Sequence, residues 1–167
     1  GWSLGAIESL QYVYMFGAEQ LAGMVLVDSS VGEQPEPAPG GTFLQALRDD
    51  RGGTLEGFVR AIFKTPISDD EVARLVSGAK RMPVESSIAL LSYPFPRTHW
   101  KEIAYAFKKP LLYVVTPQFE AQAQNLRKNR PGTQVEIFKD AGHTLFVDEP
   151  ERFNGLIGRF AESLSLR

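Results

Sequence analysis

The sequence predicts an α/β fold built on a parallel sheet and interrupted by a helical insertion. Three observations carry this. Two short apolar runs, Gly23-Met24-Val25-Leu26-Val27 and Leu111-Leu112-Tyr113-Val114-Val115, have the length and β-branched content of strands buried on both faces. Helical spacing surrounds them, as parallel strands require, since each must be reached by a crossover. Between them, from Gln34 to Phe107, strand periodicity disappears and only helical spacing is left.

The elements follow in order. Ala6–Phe16 reads as a helix in which Ile7, Leu10, Val13, Tyr14 and Phe16 leave little polar face, as expected for a helix packed on a sheet, and Gly17 is its stop. The strand Gly23–Val27 ends at Asp28, so Asp28 falls at the carboxyl edge of the sheet, where functional groups gather. The Pro- and Gly-rich stretch from Glu33 to Gly41 reads as a linker leaving the sheet. Beyond it, Phe43, Leu44 and Leu47, then Leu55, Phe58, Val59, Ile62 and Phe63, lie at helical spacing. Ser68-Asp69-Asp70-Glu71 reads as a capping box opening a helix through Val76. Val84–Leu91 reads as a helix ended by Pro94 and Pro96. After the second strand, Phe119–Lys128 is helical, and Gln134–Phe138 alternates as a half-exposed strand near the sheet edge. The last helix starts near Pro150, with Phe153, Ile157, Phe160 and Leu164 as its stripe. The expected division is core over 1–33, a helical lid over 34–107 and core again over 108–167.

Composition bounds the function. With 43% hydrophobic and 23% charged residues, the chain is ordinary for a globular domain. A net charge of −2 gives no basic footprint for nucleic acid or an anionic membrane. No apolar run reaches membrane-spanning length, and no signal peptide is visible. Cysteine is absent, which excludes disulfides and Cys-type zinc sites and fits the cytoplasm. No metal cluster, phosphate loop or dinucleotide fingerprint is found, because Gly40-Gly41 and Gly52-Gly53 lack the strand–helix setting these need. No cofactor is expected.

The chemistry-bearing stretch is Gly1-Trp2-Ser3-Leu4-Gly5, a G-x-S-x-G pattern. In a nucleophile elbow the serine sits on a strained strand-to-helix turn that lifts its hydroxyl above the sheet edge. Both glycines are expected to be required, because a Cβ at either would meet neighbouring backbone. The helix that follows aims its free amides at a developing oxyanion, and Leu4 N–H is the first candidate donor. Of the two histidines, His143 follows a glycine in a strand-end loop, whereas His99 beside Trp100 reads as a solvated surface residue. Trp2 and Leu4 are expected to pack.

The elbow, the order of elements and the segment Gly142-His143-Thr144-Leu145-Phe146-Val147-Asp148-Glu149-Pro150-Glu151-Arg152-Phe153-Asn154 together resemble the α/β-hydrolase fold family. The likeness is greatest to its esterase, non-haem haloperoxidase and haloalkane dehalogenase branch, and it covers nearly all of the chain outside the lid. The resemblance implies Ser3 as nucleophile and His143 as general base. It also implies an acid after the strand Leu111–Val115, where this chain has Thr116-Pro117-Gln118-Phe119 instead. Asp28 is the preferred acid, since the related dehalogenases often carry theirs at the matching place. Glu120 is the alternative, and a Ser–His dyad is the third. The expected activity is hydrolysis of a carboxylic ester, lactone or thioester through an acyl-serine. Carbon–carbon bond hydrolysis, perhydrolysis and a non-catalytic ligand-sensing or partner-binding role remain as alternatives on the same fold. The expected partner is a small ester-like substrate. An elbow needs a strand before it and a second oxyanion donor from an earlier loop. The chain is therefore expected to be the carboxyl-terminal part of the fold, to need an amino-terminal half, and to be neither stable nor active alone.

Overall fold

The computed structural model describes residues 1–37 and 42–165. In chain order the elements are α1 (Leu4–Phe16), β1 (Met24–Val27), α2 (Phe43–Asp49), α3 (Arg51–Ala61), α4 (Asp69–Lys80), α5 (Val84–Leu91) and α6 (Arg97–Ala106). They continue with β2 (Leu111–Val115), α7 (Glu120–Asn129), β3 (Gln134–Ile137), α8 (Leu145–Asp148) and α9 (Pro150–Ser165). The three strands are parallel and stand in the order β1-β2-β3. Val27 lies opposite Val114, and Val115 opposite Ile137, so the strands' carboxyl ends reach one common edge. Residues 1–3 run along the other side of β1. Gly1 N donates to Val25 O, Val27 N to Gly1 O and Ser3 N to Val27 O, with a parallel bridge between Trp2 and Val27.

The period of two explains why β2 is apolar throughout. Leu111, Tyr113 and Val115 point to one face, where they pack with Ile7 and Leu10 of α1, Trp100 and Ile103 of α6, and Leu126 of α7. Leu112 and Val114 point to the opposite face and meet Leu145 of α8 and Phe160 of α9. The sheet is thus covered by helices on both sides, and each fully buried aliphatic side chain contributes roughly 1.5–3 kcal/mol of burial free energy. The predicted stripe of α9 lies against this second core, with Phe153, Ile157 and Leu164 around the buried Phe160. Gly17 ends α1 at φ 78°, and its N–H closes on Val13 O.

Pro94 and Pro96 follow the end of α5 as expected, and Pro96 also stands just before α6, where Trp100, Ile103, Ala104 and Phe107 form a buried stripe at i, i+3, i+4 and i+7. Several other local expectations change. The capping box of α4 is half made: Ser68 Oγ accepts from Glu71 N at 3.2 Å, but the Glu71 carboxylate turns to Arg74 at 2.5 Å. The start of the predicted linker is anchored, because Glu33 is buried and accepts from the Tyr105 hydroxyl and from Asn129 Nδ2. Its end, with Ala38, Pro39 and Gly40-Gly41, lies outside the described residues. His99 is not a solvated surface residue. Its ring stacks on Phe95 at 4.3 Å, meets the edges of Tyr14 and Trp100, and bonds Gln11 Oε1 at 3.2 Å. No helix among the described residues is long and apolar enough to cross a membrane.

Candidate active site

The site is assembled where three chain segments reach the carboxyl edge of the sheet. Ser3 caps α1 with φ 54° and ψ −124°, a backbone conformation that non-glycine residues adopt only when the surroundings over-determine it. The pairing of Gly1 and Ser3 with β1 supplies that constraint. A Cβ on Gly1 would stand 2.0 Å from Gly5 O and 2.5 Å from Ser9 Oγ, so glycine is required there. Gly5 differs from expectation: nothing lies within 4 Å of its Cβ position. Its nearest turn partner is backbone, through Gly5 N to Trp2 O. Ala6 N turns back to Ser3 O, and the Leu4 amide at the head of α1 has no hydrogen-bond partner among the described residues.

Asp28 continues β1 by one residue, and its backbone also lies at positive φ, 44°. Its N–H donates to Val114 O at 2.8 Å, keeping the chain in register with β2 through this bend. The side chain is 1% exposed. Burying a carboxylate is tolerated only with full hydrogen bonding, and both oxygens are used. Oδ1 accepts from Thr116 N at 2.7 Å and Thr116 Oγ1 at 2.8 Å. Oδ2 lies 2.7 Å from His143 Nδ1. In the tautomer that donates from Nδ1 to the carboxylate, the second ring nitrogen, Nε2, keeps its lone pair. The neighbouring loop is fixed by two more bonds. The Tyr113 hydroxyl donates to Ser29 O at 2.5 Å, and Ser30 Oγ to Gln122 Oε1 at 2.9 Å. Burial, and then the charge of Asp28, push the Tyr113 phenol up, so it stays a donor.

His143 lies in the loop between β3 and α8. Trp2, the residue before Ser3, holds it from the other side: Trp2 Nε1 donates to His143 O at 2.8 Å, and the two rings lie 5.0 Å apart. Ser3 is tied to Val27, next to Asp28, through its own N–H, and its neighbour Trp2 and Asp28 both bond His143. The alternative acid, Glu120, opens α7 and is not among the partners of His143 in the described residues.

A family model described as the alpha/beta hydrolase family matches residues 1–156. The chain belongs to this family. Solved structures agree in fold. The chain is similar to an esterase from Exiguobacterium antarcticum (16% identity, TM-score 0.82, 97% of this chain and 65% of that one). It is also similar to a bromoperoxidase from Bacillus anthracis (19% identity, TM-score 0.82, 97% and 66%). An esterase from Rhodococcus sp. ECU1013 shares 19% identity at TM-score 0.75, over 98% of this chain and 64% of that one. The chain thus spans about two thirds of the length of these relatives. No curated protein matches it by sequence.

In this alpha/beta hydrolase, the place after β2 where the resemblance puts an acid holds Thr116, which donates twice to the acid at the end of β1. The ends of adjacent parallel strands are neighbours, so either can present a carboxylate to the same histidine. Sequence reading missed Thr116, whose signal was a polar residue closing an otherwise apolar strand. It also gave Trp2 only a packing role, and the indole's donor requirement was the clue to more. Among the described residues no group of three or more His, Asp or Glu side chains is gathered that could hold a metal ion.

Proposed function

We propose that this chain carries the reacting centre of a cofactor-free serine hydrolase that cleaves a carboxylic ester, lactone or thioester through an acyl-serine. The observation that carries the reading is the Asp28–His143 contact of 2.7 Å beside a serine held at φ 54° on a strand-to-helix turn. Ser3 Oγ would attack the carbonyl carbon while His143 Nε2 takes its proton. Asp28 Oδ2 would hold the imidazole in the Nδ1–H tautomer and face the imidazolium that forms. The Leu4 amide would donate to the oxyanion. As the tetrahedral intermediate collapses, the bond to the alkoxide or thiolate breaks and His143 returns the proton to it. Water, deprotonated by the same nitrogen, then releases the acid and restores Ser3. The esterases among the similar structures support the ester class. Helices α2–α6, inserted between β1 and β2, would be the lid that shapes the substrate pocket. The lack of cysteine supports a cytoplasmic setting.

The test is covalent. In the protein that carries this chain, a fluorophosphonate should label Ser3, and Ser3→Ala should abolish both labelling and turnover of a p-nitrophenyl ester. Labelling that misses Ser3, or turnover unchanged by Ser3→Ala, would overturn the serine mechanism. A parent protein that neither labels nor turns over would favour the ligand-sensing role.

A further inference from the structure

The acidic residue of the histidine motif, Asp148, is spent neither on Ser3 nor on His143, and its contacts lead elsewhere. Its Oδ2 accepts from Gly142 N at 2.9 Å, within the histidine loop. The same carboxylate accepts from Lys64 N at 3.1 and 3.2 Å and from Thr65 N at 3.1 Å, amides of the turn that follows α3. The clasp also runs in the opposite sense. Ile62 O, a carbonyl at the end of α3 with no helical partner, accepts from Thr144 N and Thr144 Oγ1, both at 3.0 Å. The two surfaces fit closely: a Cβ on Gly142 would stand 2.7 Å from Lys64 N and 2.8 Å from Ile62 O. His143 is flanked by Gly142, whose N–H shares the Asp148 carboxylate with this turn, and by Thr144, which bonds the turn directly.

We propose that Asp148 is a positioning residue that fixes the turn 62–65 of the inserted helices against the histidine loop. The placement of the insertion over the sheet edge and the orientation of the base are then set by one carboxylate. This rests on the reading of His143 as the base. The physical case is that a carboxylate shared by backbone amides of two segments is a strong, directional tie. A ring held at only one nitrogen by Asp28 depends on its backbone for the rest of its aim. A misplacement on the order of 1 Å at a reacting group can cost about 10²-fold in rate.

The test uses Asp148→Asn and Asp148→Glu in the protein that carries this chain. Asn keeps one acceptor oxygen and sets an amide donor against an N–H, whereas Glu keeps both acceptors. The first readout is the indole N–H resonance of Trp2, which donates to His143 O, assigned with Trp2→Phe. The buried Trp100 indole, whose N–H has no hydrogen-bond partner among the described residues, serves as the internal control. Asp148→Asn should move the Trp2 signal and leave that of Trp100, with Asp148→Glu closer to the parent. The second readout is kcat per fluorophosphonate-titrated serine. It should fall about 10-fold or more in Asp148→Asn, with KM changed less, and recover in part in Asp148→Glu. If Asp148→Asn does not fold, Thr144→Val removes one bond of the same clasp and should move the Trp2 signal the same way. An unmoved Trp2 signal, or a rate loss that only follows the titratable fraction, overturns the proposal. Should the parent not react with the fluorophosphonate, the hydrolase reading fails, and the Trp2 resonance alone still decides the clasp.

Discussion

At the scale of single residues, the site depends on one buried carboxylate meeting all its demands. Asp28→Asn keeps the shape but replaces an acceptor with a donor, so the imidazole loses its tautomer and its counter-charge. We expect kcat to fall by about 10⁴, while Glu120→Gln changes it by less than about 2-fold, as for an ordinary surface change. Steady-state kinetics on the two variants checks this, and the reverse ranking would move the acid to α7. Thr116 sets a smaller, graded case. Thr116→Val removes the Oγ1 bond to Asp28 but leaves the backbone N–H in place. The loss of one such bond is worth about 1 kcal/mol, so kcat/KM should drop roughly 5- to 10-fold with KM little altered. A fall as large as that of Asp28→Asn would mean that the hydroxyl, and not the amide, holds the carboxylate.

At the scale of elements, polar ties between helices and loops decide how the sheet edge is held. Glu33, on the segment leaving β1, joins Tyr105 of α6 to Asn129 of α7. Burial first, and then the bond to Glu33, push the Tyr105 phenol up to about 12. The unfolded chain releases the same proton near the ordinary value of about 10. Below that pH both states hold the proton. Between about 10 and 12 only the unfolded state has lost it, so stability must fall as pH rises through this window. Denaturant unfolding across it should give a downward slope that flattens in Tyr105→Phe, and an unchanged slope would place the proton's loss elsewhere. The Pro96–Phe107 segment teaches a related point. Pro94 and Pro96 close α5 as read, and Pro96, with its fixed φ, also stands at the start of α6.

At the scale of the whole molecule, three strands and their covering helices leave a strongly apolar outer surface on α1. Tyr14, Met15 and Phe16 are each more than 60% exposed, with Tyr12 beside them at 43%. Patches of this kind mark surfaces that associate. On the other side of β1, residues 1–3 form the short outer row of the sheet among the described residues. The 167-residue chain expressed alone is therefore expected to self-associate and to unfold without a sharp transition. Sedimentation velocity and a thermal melt check this, and a monodisperse monomer with a cooperative melt would contradict it.

The sequence by itself determined the parts governed by local pattern. Strands buried on both faces must be apolar throughout, and helices on a sheet must carry a stripe. The order of elements was legible for that reason, whereas Ser3 and His143 were singled out by the resemblance of the two motifs that hold them. The structure alone decided what depends on register. Asp28 and Thr116 are far apart in sequence, and only the pairing of β1 with β2 puts the hydroxyl of one on the carboxylate of the other. The same holds for Trp2 against His143 and for Asp148 against the turn after α3. A lone Asp, Thr or Trp carries no mark of its partner, because a hydrogen bond across the fold leaves no periodicity in the chain.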